Sequence, residues 1–408
     1  MTVMVSPRYG PGSGPNPGHA HGRSPGIGPS SGPGIVSVGE TPALRHPDAS
    51  CSTAGLMAQA VGQALRHAGL SPAHVDGLGV ASFTLRPDRA IDLAWQLGLR
   101  LNWCMQDEMG GASAINLLRQ AWLALAAGQA ETIVLVSGDH FTGADFAGLV
   151  RGYNRTAQDY LSPLGCEGPN PMFAMLTQRQ MAATGLRRED YGALCVAQRQ
   201  WAAGNPNAAY RQPLTLAQYL DAPIVAPPLS RLDCVPVVSG ASALVLRARP
   251  QGVHVRLVAS EARYNHDQQE GDGLETGIAA FAPALWRAAG MGPDEMDVVS
   301  VYDDYPAMAL AQLCDLGFAS AGDLPGFIAR RIATRDLPVN TAGGQLSAGQ
   351  AGTAGGMHGL VEVTRQLLGL AGDRQLRGVR HGVVTGYGMV QVRYGMCANA
   401  AVLTREGA

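Results

Sequence analysis

The hydrophobic positions of the chain alternate between short apolar runs and longer segments with helical spacing. Residues 35–38 form one apolar run, and residues 52–68 then place apolar side chains at helical spacing before Gly69. A second run covers residues 75–83, and residues 132–136 (TIVLV) form a third, continuous run. Continuous apolar runs are typical of strands that are buried on both faces of a parallel sheet. The pattern therefore predicts an α/β protein.

The plan of the N-terminal part recurs in the C-terminal part. Residues 110–138 read GGASAINLLRQAWLALAAGQAETIVLVSG, and residues 355–386 read GGMHGLVEVTRQLLGLAGDRQLRGVRHGVVTG. Both contain a double glycine, a predicted helix with an Arg-Gln pair, and a strand that ends in glycine. We interpret the match as an internal duplication of a βαβ half. The elements predicted in this comparison are helices over residues 112–127 and 360–370 and strands over 132–136, 298–301 and 382–385.

The remaining segments set the predicted domain limits. The first 33 residues are rich in Gly, Pro and Ser, so they cannot bury a core and are predicted to be disordered. Between the two halves, helices are predicted over residues 169–183 and 185–203. The predicted organisation is a tail (1–33), an N-terminal half (34–260) that includes a cap and loop insertion (about 141–235), and a C-terminal half (261–408).

Composition narrows the function classes. The formal net charge is −2, so no basic excess indicates a nucleic-acid partner. No apolar run reaches the length of a membrane span, and the N-terminus has no secretory pattern, which favours a cytoplasmic protein. The seven cysteines contain no C-x-x-C pair, which favours reduced thiols over a structural zinc site.

The stretch with the most chemical information is residues 340–359, NTAGGQLSAGQAGTAGGMHG. Its glycines allow the backbone to approach a ligand closely and to adopt positive φ angles. The stretch leads into a predicted helix, whose first N–H groups and partial positive charge point towards the loop. Such a loop can hold an oxyanion, a thioester carbonyl or a phosphate.

The same stretch resembles the thiolase-superfamily loop N-x-G-G-x-x-x-x-G-H-P-x-G-x-x-G. Gln350 stands at the histidine position of that pattern, and Ala351 stands at the proline position. The form N-T-x-G-G-x-L-S resembles most the lipid-transfer, or sterol-carrier-protein-x, branch of thiolase-like proteins. The positions that match are Asn340, Gly343, Gly344, Gly349, Gly352 and either Gly355 or Gly356.

The resemblance implies a thiolase fold, in which two duplicated βαβ halves form five αβαβα layers under a helical cap. It also implies an enzyme of the thiolase-like acyltransferase and aldolase family that acts in lipid metabolism on an acyl-CoA thioester. Coenzyme A then enters as part of the substrate, and no further cofactor or metal is expected. The family further implies a homodimer, and relatives of this kind work with a small zinc-ribbon/OB-fold partner protein.

The residues that thiolase chemistry needs are substituted in this sequence. A thiolase places a nucleophilic cysteine at the start of the first buried helix, where the helix dipole lowers the pKa of the thiol. Alignment puts Glu108 at that position and Cys104 four residues too early. The loop histidine is Gln350, and the second cysteine aligns near Gly388, where no cysteine is found. Acyl-cysteine chemistry is therefore not expected.

Other residues near these positions remain candidates. Glu108, with Asp107 as its competitor, is a candidate base, and Gln350 can donate an N–H to an oxyanion but cannot transfer protons. His358 is the histidine nearest to the loop and is a candidate acid or base. Tyr302 follows a predicted strand and matches the tyrosine of the Y-D-x-F/Y form in aldolase-type relatives, where this tyrosine is implicated in acid–base work. The backbone of the substrate or oxyanion loop is assigned to Asn340, Gly343, Gly344, Gly349 and Gly388.

Three hypotheses follow from these residues. The first is retro-aldol cleavage or aldol formation of a C–C bond through a thioester enolate, with Tyr302 as the acid–base group. The second is an acyltransferase that uses Cys104 as a displaced nucleophile. The third is a non-catalytic subunit that binds acyl-CoA or lipid within a complex. The loss of the cysteine and the histidine favours the first and third hypotheses, and Tyr302 favours the first over the third.

Overall fold

The computed structural model of the chain describes residues 32–152, 155, 157–266, 271–391 and 394–407. The prediction of a disordered tail therefore lies outside the described residues, apart from its last two positions. Of the helices described, none combines the length and the apolar character that a membrane crossing needs. In the same ranges, no group of three or more His, Cys, Asp or Glu side chains is arranged to hold a metal ion.

The described part of the chain forms eleven strands. In chain order they are Gly34–Glu40 (β1), Gly77–Ala81 (β2), Trp103–Asp107 (β3), Thr132–Asp139 (β4), Ile224–Ala226 (β5), Leu229–Ser230 (β6), Gly240–Arg247 (β7), His254–Tyr264 (β8), Val298–Ser300 (β9), His381–Gln391 (β10) and Tyr394–Glu406 (β11).

The same part of the chain forms twelve α-helices. They are Thr53–His67 (α1), Arg89–Gln96 (α2), Ser113–Ala126 (α3), Gly143–Arg151 (α4), Pro169–Thr184 (α5), Arg188–Ala202 (α6), Leu216–Leu220 (α7), Ala282–Ala289 (α8), Pro306–Asp315 (α9), Leu324–Phe327 (α10), Gly344–Ala348 (α11) and Ala354–Leu368 (α12).

The strand order confirms the duplication that the sequence predicts. Nine of the described strands form one sheet in the order β3-β2-β4-β7-β1-β8-β11-β10-β9. The two halves meet where Ile35 of β1 pairs with Val255 of β8. Outward from there, β1-β7-β4-β2-β3 and β8-β11-β10-β9 show the same sequence of antiparallel and then parallel pairing. A parallel bridge from Val299 to Val339 adds the fifth position of the second half.

The apolar clusters define five layers. Ile115 of α3 and Leu360 of α12 belong to a central cluster that also takes in strands of both halves. Met57 of α1 belongs to a cluster on the outer face of the first half, and Leu310 of α9 to a cluster on the outer face of the second half. The αβαβα arrangement of the thiolase fold is therefore confirmed.

The apolar run in β4 is explained by its position between two helical layers. Ile133 and Leu135 pack in the central cluster, whereas Val134 and Val136 pack in the outer cluster of the first half. Successive side chains of a strand point to opposite faces, so a strand that is buried on both faces needs apolar residues throughout. The continuous run was therefore a sound signal for a strand in the middle of the sheet.

The insertion between β4 and β7 contains α4 to α7 and the short hairpin of β5 and β6. Both helices predicted there are present, but the second begins at Arg188 instead of Gly185. Gly185 has a φ angle of 74° and ends α5 in a left-handed conformation, so it cannot start the next helix. The predicted domain limits stay a prediction, and β8 spans the limit proposed at residue 260.

The helix predicted over residues 360–370 was wrong at its start. α12 begins at Ala354, so the Gly355-Gly356 pair is helical and is not part of the loop. Glycine disfavours helix, but a Cβ at Gly356 would overlap with the backbone of Gly111, and one at Gly355 would overlap with the side chain of Gln345. Close packing in the central layer therefore selects glycine where local propensity opposes it.

We expect Gly356→Ala to lower the free energy of unfolding by about 2 kcal/mol, because the added methyl group forces α12 away from Gly111. Denaturant unfolding followed by circular dichroism measures this change. Gly148→Ala in α4 is the matched control, because a Cβ there meets no atom within 4 Å. It should leave stability unchanged or raise it slightly. Equal stability of Gly356→Ala and the unmodified chain would contradict the packing argument.

Candidate active site

The glycine-rich loop is attached to the second half of the sheet by Asn340 and Asp303. Asn340 Oδ1 accepts hydrogen bonds from the backbone N–H of Val301 at 2.9 Å and from Ser300 Oγ at 3.1 Å. Asp303 accepts the backbone N–H groups of Gln345 at 2.9 Å and Leu346 at 3.3 Å. Burial raises the pKa of Asp303 to about 6, although these two hydrogen bonds oppose the rise. Both side chains are buried and therefore hold the loop against the end of β9.

The loop is attached to the first half of the sheet by Asp139 at the end of β4. Asp139 Oδ2 accepts the backbone N–H of Thr353 at 2.8 Å and its hydroxyl at 3.0 Å. The other oxygen accepts the backbone N–H groups of Phe83 and Thr84, each at 2.8 Å. A Cβ at Gly352 would overlap with Asp139, so this position of the loop requires glycine.

A cavity of about 490 Å³ opens between the loop, the strand ends and the insertion. Tyr302, Asp304 and Gln350 provide its principal polar side chains, and backbone of Gly110 and Gly111 lines the side next to α3. Most of the other lining side chains are apolar. They include Phe83, Phe141, Phe146, Leu149, Val150, Val235, Val237, Met389 and Val390.

The three polar side chains are hydrogen bonded to one another. Gln350 Nε2 lies 3.0 Å from Tyr302 Oη and 2.6 Å from Asp304 Oδ1, so it donates to both. The Tyr302 hydroxyl is also hydrogen bonded to the Asp304 carboxylate. Removal from bulk water raises the pKa of Asp304 to about 7, and the charge of Asp303 adds to the rise. The hydrogen bonds from Tyr302 and Gln350 oppose it without cancelling it. The cluster therefore holds a carboxyl group that changes its charge near neutral pH.

Comparisons with known proteins identify the fold and the family of the chain. Residues 259–403 match a family model described as "Thiolase C-terminal domain-like". The chain is 33% identical to the 17-hydroxy-3-oxo-4-pregnene-20-carboxyl-CoA lyase of Mycobacterium tuberculosis, over 86% of this chain and 95% of the lyase. It is also 33% identical to the steroid side-chain-cleaving aldolase of Thermomonospora curvata, over 77% and 85% of the two chains.

A solved structure agrees with the sequence relatives. The Ltp2-ChsH2(DUF35) aldolase is 26% identical to this chain and superimposes with a TM-score of 0.77, covering 91% of this chain and 97% of the other. The protein belongs to the thiolase superfamily. Its relatives with aldolase and lyase names place it among the thiolase-like enzymes of that superfamily.

The thiolase fold brings together two of the four side chains that the sequence analysis proposed as catalytic. Tyr302 and Gln350 are in contact at the floor of the cavity. Gln350 uses its Nε2 group on Tyr302 and Asp304 and therefore orients those groups, instead of pointing to an oxyanion as we expected.

The loop positions separate into two groups. Gly388 lines the cavity, whereas Asn340, Gly343, Gly344 and Gly349 do not. A Cβ at Gly343, Gly344 or Gly349 would clash with Ala202, Asp303 or Val238, respectively. They therefore permit close packing beneath the site, and their assignment to a substrate carbonyl stays a prediction.

Glu108 was wrongly placed at a helix start. It follows β3, and α3 begins only at Ser113. Its side chain is 52% exposed and forms an ion pair with Arg89, so it does not line the cavity. Its competitor Asp107 accepts the backbone N–H of Met109 at 2.8 Å and so shapes the turn that leads to α3.

The structure does not bring His358 to the cavity, and its catalytic role stays a prediction. It lies inside α12, outside the cavity lining, and its Nδ1 is 3.0 Å from Glu40 Oε1. Arg365 Nη1 is 3.0 Å from the other Glu40 oxygen, so the three side chains form a buried ionic cluster. Burial lowers the pKa of His358, but the hydrogen bond and charge of Glu40 outweigh this effect and raise it. Burial raises the pKa of Glu40, but the charge of Arg365 and the contact with His358 hold it well below its ordinary value.

The geometry and the raised pKa values of the cysteine thiols disfavour a thiolate nucleophile in the cavity. Cys104 is exposed on the edge strand β3, outside the cavity lining, and partial burial raises the pKa of its thiol. Cys397 is buried, and burial raises the pKa of its thiol to about 11. The sequence analysis missed Cys234, which lines the cavity, but burial raises the pKa of this thiol to about 12. A raised thiol pKa disfavours the thiolate that attacks a thioester.

The sequence analysis also missed Asp304. It occupies the variable third position of the Tyr-Asp-x-Tyr stretch, directly after a buried strand. Side chains that follow parallel strands meet at one edge of a sheet, where ligands bind. The position of Asp304 after a buried strand could have indicated this carboxylate. The resemblance indicated Tyr302, two positions earlier, instead.

We expect Glu40→Gln to lower the free energy of unfolding by about 3 kcal/mol, because it leaves the charge of Arg365 buried without a partner. Urea titration at about pH 6 measures the loss. Glu131→Gln is the control, because the Glu131–Arg249 pair is exposed and should contribute less than about 1 kcal/mol.

The pH dependence gives a second test of the same cluster. The folded-state pKa of His358 is raised, so its contribution is complete below its ordinary value of 6.5 and is lost as the pH rises through the folded value. The contribution of Glu40 is present above 4.5 and is lost only on acidification. Stability of the unmodified chain should therefore fall as the pH rises from about 6.5 through the raised folded-state pKa of His358, and Glu40→Gln should reduce that slope. An unchanged slope in the variant would contradict the assignment.

Proposed function

We propose that this thiolase-like protein is an aldolase that breaks a C–C bond of a β-hydroxyacyl-CoA thioester by a retro-aldol reaction. The observation that carries the proposal is the cluster of Tyr302, Asp304 and Gln350 at the floor of an apolar cavity. The names of the two relatives, a carboxyl-CoA lyase and a side-chain-cleaving aldolase, describe the same type of cleavage.

In the proposed reaction, Tyr302 is the acid–base group at the β-hydroxyl of the substrate. As the hydroxyl loses its proton, the new carbonyl forms and the adjacent C–C bond breaks. The bonding electron pair moves into the thioester, which becomes an enolate, and a proton then converts the enolate into the shorter acyl-CoA. Backbone N–H groups of Gly110 and Gly111, at the N-terminal end of α3, are proposed to receive the enolate oxygen.

The apolar walls of the cavity support a bulky, apolar acyl group, and we propose a steroid side-chain thioester. Aromatic and branched side chains such as Phe141, Phe146 and Val235 surround the polar floor. Such walls favour a rigid apolar ring system and exclude water from an enolate. Coenzyme A is proposed only as part of the substrate. The expected absence of another cofactor and the cytoplasmic location stay predictions.

The acyltransferase alternative has less support from the geometry. It needs a reactive thiol beside the substrate, but Cys104 lies on β3, outside the cavity lining, and Cys234 has a raised thiol pKa. The third hypothesis, a non-catalytic binding subunit, differs from the aldolase in one measurable respect, because it predicts an intact cavity that binds the thioester without turnover.

We also propose that two copies of the chain pair along the free edge of β3. In the described structure β3 pairs only with β2, so its other edge has no partner strand. Ile91 and Trp95, on the adjacent α2, are 65% and 80% exposed, which is unusual for large apolar side chains. A small zinc-ribbon/OB-fold protein is proposed as an additional partner, and the two-protein name of the Ltp2-ChsH2(DUF35) aldolase supports this.

We expect Tyr302→Phe to lower kcat by a factor of about 1,000 while binding of the thioester is retained, because only the hydroxyl is removed. The assay follows cleavage of 17-hydroxy-3-oxo-4-pregnene-20-carboxyl-CoA by liquid chromatography and mass spectrometry, with and without a co-expressed zinc-ribbon/OB-fold protein. Tyr210→Phe is the control, because Tyr210 lies outside the cavity and its ring contacts with arginines are retained.

The same assay separates the three hypotheses. Unchanged turnover in Tyr302→Phe would contradict the aldolase mechanism. A stable acyl adduct on the intact protein that disappears in Cys104→Ser would support the acyltransferase. Binding of this thioester without turnover, under both partner conditions, would support the non-catalytic subunit.

We expect the chain to be a dimer in solution and Trp95→Glu to convert it largely to a monomer, because a charge in an apolar interface is costly. Sedimentation equilibrium measures the mass. Leu370→Glu is the matched control, because Leu370 is also exposed (54%) but lies after α12, away from β3. A monomeric unmodified chain, or a dimer that survives Trp95→Glu, would contradict this interface.

A further inference from the structure

The two neighbouring acids that follow β9 have different environments. Asp303 is buried, and its oxygens accept backbone N–H groups of the glycine-rich loop. Asp304 lines the cavity, and its hydrogen-bond partners there are the side chains of Tyr302 and Gln350. The first acid therefore supports the loop, whereas the second faces the space where a substrate lies.

Among the described residues, those that line the cavity include no Lys, Arg or His that could offset the charge of Asp304. The adjacent carboxylate, Asp303, opposes the ionisation of Asp304. Groups facing Asp304 from the packed elements are the Tyr302 hydroxyl and the Gln350 amide, and neither carries a charge. A carboxyl group in such a place accepts a proton more readily than one in water.

A tyrosine alone is a poor base at neutral pH, because a phenol ordinarily ionises near pH 10. It becomes effective when a neighbouring group accepts the phenolic proton at the moment that the phenol oxygen takes another. The histidine that could do this in the loop pattern is replaced by Gln350, which cannot accept a proton. Asp304 is the titratable side chain in direct contact with Tyr302 at the cavity floor.

We propose that Asp304 is the proton acceptor of the retro-aldol reaction and acts through Tyr302. The β-hydroxyl proton passes to Tyr302 Oη while the phenolic proton passes to Asp304. The O–H electron pair forms the new carbonyl, the C–C bond breaks, and its electron pair forms the thioester enolate. In the second step the proton returns from Asp304 through Tyr302 to the enolate carbon, so the enzyme ends in its starting state.

Gln350 orients the Tyr302 hydroxyl and the Asp304 carboxylate for this proton transfer. Its Nε2 group donates to both Tyr302 and Asp304, and neither hydrogen bond removes the carboxylate's capacity to accept a further proton. Gln350 is therefore a positioning residue. The proposal rests on the aldolase function proposed above and assigns to Asp304 a role that the resemblance did not indicate.

The test compares Asp304→Asn with Asp303→Asn and Tyr302→Phe in the cleavage assay with 17-hydroxy-3-oxo-4-pregnene-20-carboxyl-CoA. Asp304→Asn keeps the size and polarity of the side chain but cannot accept the proton. We expect kcat to fall by about 100-fold or more with little change in KM. The kcat of the unmodified enzyme should rise with pH through about 7, where Asp304 ionises. This dependence should be lost in Asp304→Asn. It should be kept, but shifted to lower pH, in the residual activity of Asp303→Asn, because the charge of Asp303 no longer opposes the ionisation of Asp304.

Asp304→Ala gives a second, independent measurement. Formate added at about pH 8 should restore at least tenfold activity to Asp304→Ala and none to Tyr302→Phe. This variant also decides the question if Asp304→Asn does not fold. Wild-type kcat with an unchanged pH profile in Asp304→Asn, or no response of Asp304→Ala to formate, would overturn the role of Asp304. Full activity of Tyr302→Phe would instead overturn the aldolase mechanism itself, so the two failures are distinguishable.

Discussion

The arrangement of the site depends on buried carboxylates that accept backbone N–H groups from the loops around it. Asp139 is the clearest case, because its two oxygens hold the turn after β2 and the loop before α12 against the end of β4. These segments belong to different halves of the duplicated fold. Burial raises the pKa of Asp139, and the hydrogen bonds from both loops offset that cost. Asp303 performs the same task for the loop residues that follow Asn340. The loop is thus fixed by polar contacts in the interior, together with glycines that its conformation requires, such as Gly352.

Two adjacent carboxylates at the end of β9 therefore have different roles, because one holds the loop and the other lines the cavity. The oxygens of Asp303 accept hydrogen bonds from backbone N–H groups, whereas the adjacent Asp304 contacts side chains at the cavity floor. The loop histidine is replaced by Gln350, and no cysteine lies between the end of β3 and the start of α3, so the usual acyl-transfer groups of the thiolase pattern are missing there. What remains is a hydrogen-bonded Tyr302–Asp304–Gln350 cluster in an apolar enclosure. Such a cluster can move a proton without forming a covalent acyl-enzyme, which suits cleavage of a C–C bond beside a thioester.

Much of the fold was predictable because local patterns report burial faithfully in a layered α/β protein. The elements β4 and α3 were predicted within a few residues, and the duplication was visible as two similar stretches. Errors arose where tertiary contacts override local signals. The early start of α12 is an example, because Gly356 is required by the approach of Gly111 in the other half. The strands β7 and β8 were not predicted, although they lie next to β1 at the centre of the sheet. Their partner strands lie far away in sequence, so local spacing did not show that they belong at the centre of the sheet.

The sequence by itself determined the α/β class, the duplicated plan, the resemblance to thiolases and the absence of the thiolase nucleophile and base. These properties depend on residue identity and short-range spacing. Only the tertiary structure decided which polar side chains meet. His358 and Glu108 lie close to the loop patterns along the chain, yet one is buried against Glu40 and the other is paired with Arg89 at the surface. Asp304 and Gln350 are 46 positions apart and are in contact. Long-range packing decides which side chains are close together and which are excluded from water. Both factors shift the pKa of a carboxyl group towards a value that suits catalysis.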